Sequence, residues 1–328
     1  MMKACVLHAV NDLKYEEVPY PVRKPGEVLV KIKASGICGS DLPRIFEKGT
    51  YHFPTIPGHE FSGEIIGADD QRLLGRKCAV YPILPCGICP SCETERYAQC
   101  ENYNYFGSRC DGGFAEFLSA PQWNIILASD DLSYEEIAMT EPCAVALHCI
   151  ERANFRMGDT VCIFGAGPIG MMIGKWARLK GASKVTLIDV DKKKTAFARK
   201  LGFETELSPE EKADIVVEGA GVSASYENAM KAAKPFGTVV LMGNPAKDMT
   251  LSQKGYWEIL RKELTVRGMW NSSYNSVVND WKTALEFMKK LDISYLVSHR
   301  FPLSACNEAF NLMRERKEFF NKVMFVND

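Results

Sequence analysis

Four of the twelve cysteines fall within one fifteen-residue window, at positions 86, 89, 92 and 100. Four thiolates on a short loop complete a tetrahedron around Zn(II), and such a closed site leaves no coordination position open for chemistry. The spacing therefore predicts a structural zinc site formed by Cys86, Cys89, Cys92 and Cys100. Redox or core thiols are the alternative interpretation, and an iron–sulfur centre is disfavoured because the spacing lacks the continuation usual for such clusters.

A second group of possible metal donors is spread over three distant segments: Cys38, His59 with Glu60, and Glu141. Taken singly, each has an ordinary explanation, as a core thiol, a hydrogen-bonded structural histidine or an acidic residue at a helix start. Taken together, three protein ligands and one open position describe a catalytic zinc site, in which the metal is a Lewis acid for a substrate oxygen. Spacing alone leaves both interpretations open.

A glycine-rich turn follows the apolar segment 161–164 and precedes a predicted helix. Its glycines allow a tight turn, the approach of a pyrophosphate and close helix–strand packing, and the helix N-terminus favours phosphate. An acidic residue about twenty positions later accepts hydrogen bonds from both ribose hydroxyls and repels a 2′-phosphate. The predicted NAD-binding residues are Gly165, Gly167, Pro168, Ile169, Gly170 and Asp189. Asp189 is alternatively an ordinary solvated residue, and lysines 192–194 would soften its discrimination against NADP.

The elements that carry these residues change in character along the chain. Residues 28–33 alternate apolar and polar side chains, and short segments rich in glycine and proline continue to about residue 113, which predicts a mainly β region. From about Gly158, strands alternate with helices, as is typical of a parallel sheet. The predicted strands are 161–164, 185–188, 215–218, 239–242 and 297–301, and the predicted helices are 169–179, 192–201 and 281–290, before a final helix and strand.

The composition is that of an average globular protein with room for two domains: 328 residues, 46% of them hydrophobic and 25% charged, with a formal net charge of −1. This balance gives no overall attraction to DNA or to an anionic membrane, and Arg96 is the only basic residue between Cys86 and Cys100. Acidic residues and a proline among the first twenty residues argue against a signal peptide. We therefore expect a cytoplasmic protein with reduced thiols.

Several longer strings resemble the zinc-containing medium-chain dehydrogenases, and within them the polyol dehydrogenases. The strings are residues 38–46, 58–63, 107–109 with 111–116, and 260–266. The resemblance runs along the whole chain and implies an α/β protein with a GroES-like, mainly β catalytic domain and a Rossmann domain with a doubly wound parallel sheet. It places the catalytic domain at 1–144 and 286–328, with the structural zinc lobe at 86–100, and the Rossmann domain at 145–285.

The same resemblance assigns site residues. Cys38, His59 and Glu141 match the catalytic zinc ligands, and Glu60 matches a neighbour that approaches the metal or holds its ligands from behind. Ser40 matches the hydroxyl that passes the substrate proton towards solvent, although a serine there could equally cap a local turn. The residues that match the nicotinamide-side loops are Gly243, Met269, Trp270 and Asn271, and Trp270 has packing as its alternative.

Two departures from the family pattern stand out. Many relatives have a histidine three residues after the relay hydroxyl, where this chain has Pro43. The segment between Gly63 and Cys78 is also several residues shorter than usual.

The implied activity is transfer of hydride from a secondary alcohol of a polyol, or of a polyol phosphate such as galactitol 1-phosphate, to NAD, giving a ketose or ketose phosphate. Two zinc ions per chain are implied, one catalytic and one structural. The alternatives are a dehydrogenase for an unphosphorylated polyol such as sorbitol or L-iditol, for a sugar acid or for L-threonine. From another class comes a catalytically silent protein that binds NAD and zinc.

A phosphorylated substrate would need local positive charge, for which Arg44, Lys48 and Arg109 are candidates by position; solvated surface side chains are the alternative. Tyr51 and His52 are further candidates for lining the pocket. A homodimer or homotetramer is expected because relatives associate through the edges of their Rossmann sheets.

Overall fold

The chain folds into two units, which we call unit 1 (Met1–Glu141 and Ser273–Asp328) and unit 2 (Pro142–Ser272). The computed structural model describes residues 1–208 and 210–327. Residue 328, the last residue of the predicted catalytic domain, lies outside the described residues. Among the described residues, no helix is both long and apolar enough to cross a membrane.

Residues 1–208 and 210–327 form sixteen strands and ten α-helices. The strands are β1 (Met2–Ala9), β2 (Asp12–Val18), β3 (Glu27–Ile37), β4 (Glu60–Gly67), β5 (Lys77–Val80), β6 (Ile83–Leu84), β7 (Asn104–Tyr105), β8 (Phe117–Pro121), β9 (Ile125–Leu127), β10 (Thr160–Phe164), β11 (Lys184–Ile188), β12 (Ala213–Glu218), β13 (Ala233–Leu241), β14 (Thr265–Gly268), β15 (Val297–Phe301) and β16 (Lys322–Val326). The helices are α1 (Asp41–Pro43), α2 (Pro90–Glu93), α3 (Tyr134–Ala138), α4 (Thr140–Arg152), α5 (Pro168–Leu179), α6 (Lys192–Lys200), α7 (Ser223–Ala232), α8 (Gln253–Lys262), α9 (Asp280–Leu291) and α10 (Cys306–Glu315).

Unit 1 is built on a seven-stranded sheet in the order β15-β16-β3-β4-β5-β9, with β8 also paired to β3. The predicted alternation is confirmed in β3, where Val28, Val30 and Ile32 are buried and the residues between them are partly exposed. The apolar side chains of β3 pack with those of β4 and β5 in one core cluster. The long strand β3 thereby reaches β4, β8 and β16 at once, and it ends next to Cys38.

Unit 2 contains a five-stranded sheet in the order β11-β10-β12-β13-β14, and every neighbouring pair is parallel. The strand–helix alternation predicted from Gly158 onwards is confirmed, with α5, α6, α7 and α8 between successive strands. Strand β13 begins six residues before the predicted residue 239. In the pairing of β12 with β13, Ala213 pairs with Ala233 but Ile215 pairs with Thr238. The residues of β13 between these two pairs, which include Pro235 and Gly237, therefore form an irregularity in the strand.

The two units meet at residues 141/142 and 272/273, whereas the predicted domains meet at residues 144/145 and 285/286. The predicted boundary cuts α9, whose side chains contact unit 1. The Trp281 ring lies 5.4 Å from the Tyr81 ring, and Lys289 Nζ lies 3.0 Å from Glu136 Oε2. The amphipathic period of α9 predicts a helix, but it carries no information about which unit buries the apolar face.

Replacement of Trp281 with alanine tests this assignment. Trp281 is 1% exposed. Its removal is expected to lower the free energy of unfolding by about 3–5 kcal/mol, because a buried aromatic side chain leaves a cavity. Thermal unfolding followed by circular dichroism measures the change. Trp270→Ala is the matched control, because Trp270 is 55% exposed. Equal losses in the two variants would contradict the packing described here.

Candidate functional site

The four clustered cysteines converge on one point of unit 1. Their Sγ atoms all lie within 4.8 Å of one another. Cys89 Sγ is 3.6 Å from Cys92 Sγ and 3.8 Å from Cys100 Sγ, while Cys86 Sγ is 3.9 Å from Cys92 Sγ. Four thiolates at the usual Zn–S distance of about 2.3 Å are about 3.8 Å apart in a tetrahedron. The separations therefore fit zinc, and a closed set of four ligands would hold the metal without leaving a position for substrate.

Backbone hydrogen bonds favour the thiolate form of Cys89 in this lobe, whereas burial raises the pKa of Cys92 to about 12. Helix α2 begins with Pro90, directly after Cys89, and a 3₁₀ turn at Tyr97–Gln99 leads to Cys100. The backbone N–H of Glu101, followed by that of Cys92, lowers the pKa of Cys89 to about 6. The loop thus supplies hydrogen bonds to the charged form of the sulfur, which is the form that binds a metal.

The second candidate centre forms where three strands of the unit 1 sheet meet. Gly36 in β3 pairs with Glu60 at the start of β4 and with Met324 in β16. Cys38 follows the end of β3, and His59 precedes β4 by one residue. Antiparallel pairing of these strands therefore brings residues from positions 38, 59 and 322 to one end of the sheet.

The donors of this centre are close enough to share a cation. One ligand atom each from Cys38, His59 and Glu60 lies within 4.8 Å of the others. Glu141, the third predicted ligand, stands outside this set, so its place as a ligand stays a prediction. It lies in the first turn of α4 and is 6% exposed. Burial and the neighbouring Glu60 raise the pKa of Glu141 to about 7, which is the behaviour of a buried carboxyl short of positive charge.

His59 is oriented by Asp41, whose side chain is fully buried. Asp41 Oδ1 lies 3.5 Å from His59 Nδ1, and Asp41 Oδ2 accepts a hydrogen bond from the Cys38 backbone N–H at 3.0 Å. Burial alone would raise the pKa of Asp41, but His59 and Arg44 together lower it to about 2. His59 Nδ1 also lies 3.4 Å from Arg44 Nη1, so Asp41 and Arg44 both contact this nitrogen and Nε2 is the ring nitrogen that a metal would use.

Ser40, the predicted proton-relay hydroxyl, contacts Cys38 and Arg44. Ser40 Oγ donates to Cys38 Sγ at 3.2 Å and accepts a hydrogen bond from Arg44 Nη1 at 3.2 Å. Arg44 Nη1 also lies 2.9 Å from Asp41 Oδ1. A guanidinium has only donors. Arg44 therefore orients the Ser40 hydroxyl and does not replace, as a proton acceptor, the histidine for which this chain has Pro43.

Glu60 forms a buried ion pair with Lys322, the first residue of β16. Lys322 Nζ also donates to the Ile37 carbonyl at 3.1 Å. A Cβ on Gly36 would approach Lys322 Cε to 2.7 Å, so glycine is needed for the pair to sit beside β3. The ion pair holds Glu60 close to Cys38 and His59. This position is compatible with both predicted roles of Glu60, as a direct metal ligand and as a neighbour that supports the ligands.

The donor set and its charges fit zinc. Thiolate, imidazole and carboxylate are the ligand types of catalytic zinc sites, and three protein donors leave a position for substrate. The acids Asp41, Glu60 and Glu141 are buried close to Arg44, Lys322 and His59, and burial, followed by Glu60, raises the pKa of Glu141.

The glycine-rich turn in unit 2 has the predicted form. Gly165 has φ +116°, in the region that favours glycine, and a Cβ on Gly170 would collide with the Gly165 carbonyl. A Cβ on Gly167 would meet nothing within 4 Å, so the backbone there is open to an approaching phosphate. Pro168 is the first residue of α5, and Ile169 follows it in the first turn, where the amides point away from the helix.

Asp189 follows β11, and its carboxylate accepts hydrogen bonds from neighbouring backbone amides. Its Oδ2 accepts from the Ala166 N–H and its Oδ1 from the Asp191 N–H, both at 2.9 Å. Each oxygen retains capacity for a further hydrogen bond. Lys194 Nζ is 3.9 Å from Oδ2, so one of the three lysines does approach this carboxylate.

The predicted nicotinamide-side residues lie after β13 and β14. Gly243 N donates to the Glu218 carbonyl at 2.9 Å, and a Cβ on Gly243 would approach Glu218 Oε2 to 2.6 Å. Met269 N donates to the Leu241 carbonyl, and Asn271 has φ +58°. Trp270 is 55% exposed, which argues against packing as its explanation.

Sequence reasoning missed the supporting charges Asp41 and Lys322, and it missed the contact of Arg44 with Ser40. A lysine heading the otherwise apolar strand at 322–326 was an available signal, because an unpaired lysine is rarely buried. No local signal predicted the partner of Lys322, because that partner, Glu60, lies 262 positions earlier in the chain.

Comparison with known proteins defines the class. Residues 24–130 match the family described as "Alcohol dehydrogenase GroES-like domain", and residues 168–290 match "Zinc-binding dehydrogenase". The chain belongs to the zinc-containing medium-chain dehydrogenases, and the predicted fold class, with a GroES-like and a Rossmann part, is confirmed.

Within this class the chain is similar to dehydrogenases named for polyols. It is 38% identical over 321 residues to galactitol 1-phosphate 5-dehydrogenase of Escherichia coli (strain K12), covering 91% of this chain and 92% of the relative. It is 29% identical over 347 residues to sorbitol dehydrogenase of Bacillus subtilis, covering 98% and 96%. The crystal structure of galactitol-1-phosphate dehydrogenase from Escherichia coli matches with a TM-score of 0.91 at 34% identity, covering 99% of this chain and 100% of that one. The predicted resemblance to the zinc-containing medium-chain dehydrogenases, and within them to the polyol dehydrogenases, is confirmed.

Proposed function

We propose that the chain is an NAD-dependent zinc dehydrogenase that oxidises a secondary alcohol of a polyol or polyol phosphate to a ketone. The observation that carries the proposal is the donor set of half-buried Cys38 with buried His59 and Glu60, with Asp41 beside the imidazole. The reaction removes hydride from the alcohol carbon and a proton from its hydroxyl, and it forms the ketone, NADH and a proton.

Each part of this chain has a task in that reaction. Bound zinc supplies a Lewis acid for the substrate oxygen, and bound NAD supplies the hydride acceptor. Cys38 and His59, with Glu141 as the predicted third ligand, hold the metal. The Ser40 hydroxyl receives the alcohol proton at Oγ, and Arg44 keeps that oxygen in place from the other side. Ser40 releases its own hydroxyl hydrogen as it takes the alcohol proton, and because a guanidinium has only donors, the acceptor is solvent water and not Arg44.

NAD is proposed as the cofactor because of the loop at Gly165–Gly170 and the carboxylate of Asp189. Both oxygens of Asp189 are fixed by backbone amides, so the charge stays where the adenosine ribose of a dinucleotide would lie. A catalytically silent protein would have no need for a fully buried Asp41 orienting His59. The expected dimer or tetramer stays a prediction, supported by β14 at the edge of the sheet and by the exposed Tyr256, Trp257 and Leu260 on α8.

A substrate panel tests the proposal. We expect zinc-loaded protein to form NADH, followed by absorbance, with galactitol 1-phosphate, galactitol, sorbitol or xylitol, and more slowly or not at all with L-threonine and sugar acids. NADP is expected to support turnover at least about tenfold less well, because a 2′-phosphate beside Asp189 is a like-charge contact. Absence of turnover with every alcohol, at two zinc ions per chain, would favour the silent NAD- and zinc-binding alternative.

A further inference from the structure

Arg109 is held between two aromatic rings in unit 1. Its guanidinium carbon lies 4.2 Å from the centre of the Tyr51 ring and 4.5 Å from that of the Tyr103 ring. Nη1 donates to the Tyr103 carbonyl at 3.1 Å, and Nη2 donates to the Tyr51 hydroxyl at 3.2 Å. Stacking on two rings, with two hydrogen bonds, fixes the plane of a side chain that is otherwise flexible.

The loop that carries Tyr51 is joined to the turn that carries Arg109. Tyr51 N donates to the Ser108 carbonyl at 3.2 Å, and His52 Nε2 lies 3.2 Å from the Arg109 carbonyl oxygen. Arg109 N in turn donates to the Tyr105 carbonyl at 2.9 Å. The cation is therefore positioned by main-chain hydrogen bonds on both sides, not only by its own side chain.

This turn also reaches the candidate metal centre. The Tyr105 ring lies 5.4 Å from the His59 imidazole, and the Tyr103 ring lies 6.3 Å from the Tyr105 ring. Arg109 stacks on the far member of this pair. Two aromatic rings, those of Tyr105 and Tyr103, therefore connect the His59 imidazole to the guanidinium of Arg109 within unit 1.

Arg109 has no carboxylate partner among residues 1–208 and 210–327, whereas Arg44 is paired with Asp41 at 2.9 Å. Five N–H donors are present on a guanidinium and two are used by Tyr103 and Tyr51, which leaves three for a ligand. The Tyr51 hydroxyl accepts from Arg109 and keeps its own proton to donate, and Tyr51 is 70% exposed. Several donors around one uncompensated positive charge describe an anion site.

We propose that Arg109, clamped between Tyr51 and Tyr103, binds the terminal phosphate monoester of the substrate and makes this chain selective for a polyol phosphate. The inference deepens the proposed function and rests on it. A phosphate monoester fits better than a carboxylate, because its three terminal oxygens and its charge of nearly −2 match the three remaining guanidinium donors and the Tyr51 hydroxyl.

The test compares Arg109→Gln with wild type on a matched pair of substrates, galactitol 1-phosphate and galactitol. KM for the phosphate ester is expected to rise by about 10- to 100-fold with kcat changed less than about twofold, while both constants for galactitol stay as they are. Arg109→Lys should recover part of the loss, since it keeps the charge and loses the planar fork. Arg314→Gln is the matched control: its guanidinium also lies over an aromatic ring, 4.4 Å from the centre of Phe46, and it is expected to change neither KM.

Calorimetric titration of the zinc-loaded protein with inorganic phosphate and with galactitol 1-phosphate gives a readout independent of turnover. Binding that weakens by the same factor in Arg109→Gln supports the site. The anion site is contradicted if Arg109→Gln changes neither KM nor binding of the phosphate ester. It is also contradicted if the wild type prefers galactitol or a sugar acid to the ester. In both cases the proposed dehydrogenase activity stands. If no alcohol is oxidised but phosphate binding depends on Arg109, the proposed function fails and the anion site remains.

Discussion

Replacement of Cys38 with serine is expected to reduce kcat/KM for the best polyol substrate by about a thousandfold or more and to lower the zinc content from two ions per chain to one. The physical reason is that a thiolate ligand is lost from a set of three protein donors, and Lewis-acid stabilisation by a metal is worth several kcal/mol in the transition state. Steady-state NADH formation and metal analysis by atomic emission measure the two effects on the same preparation.

Cys110→Ser is the control for loss of a thiol as such. Cys110 is half-buried, belongs to neither group of clustered donors, and its pKa is raised by burial to about 12, so it is a neutral thiol at working pH. The control is expected to keep both zinc ions and most of the activity. If Cys38→Ser retained two zinc ions per chain and normal turnover, the catalytic metal centre would have to be sought elsewhere.

Replacement of Cys92 with serine is the second large effect, and it acts on stability. We expect loss of the other zinc ion, a fall of at least about 4 kcal/mol in the free energy of unfolding and a drop of roughly 10 °C in Tm, because a structural zinc contributes its binding energy to folding. The lobe is short of other support, since its core consists of Cys89, Cys92 and Cys100 with partly buried neighbours. Differential scanning calorimetry with metal analysis measures both.

Hydrogen exchange shows where the lobe variant opens. The segment after unit 2 is attached to this lobe, because Ser276 donates through its N–H and its hydroxyl to Glu95 Oε2 at 2.7 and 2.6 Å. Faster exchange in Cys92→Ser is therefore expected at residues 86–101 and around Ser276, and not in the parallel sheet of unit 2. A uniform loss of protection in both units would mean that the lobe supports the whole chain and not its own surroundings.

The two cysteine variants also separate the two centres from each other. Cys38→Ser is expected to change Tm by much less than Cys92→Ser, because the catalytic donors lie at the end of a sheet that is held by β3, β4 and β16. Cys92→Ser protein that remains folded at low temperature should keep zinc at Cys38 and should still oxidise the substrate. If Cys92→Ser abolished turnover without lowering Tm, and Cys38→Ser lowered Tm without abolishing turnover, the assignments of the structural and the catalytic zinc site would have to be exchanged.

The sequence by itself determined the features that depend on neighbours in the chain. The spacing of Cys86, Cys89, Cys92 and Cys100 set the structural lobe, and the strand, glycines and helix around Gly165 set the dinucleotide loop. Periodicity in residues 28–33 set the buried face of β3. Each of these patterns acts within a few residues, so local spacing and side-chain type were enough to predict it.

The tertiary structure alone decided what depends on pairing between distant segments. Strand register places Glu60 beside Lys322, and the fold of unit 1 places His59 beside Asp41. The clamp of Tyr51 and Tyr103 around Arg109, and the burial of α9 in unit 1, also arise from contacts that no local pattern encodes. Charges and aromatic rings far apart in the chain are brought together by the hydrophobic packing of the sheets, which fixes their distances without leaving a local pattern in the sequence.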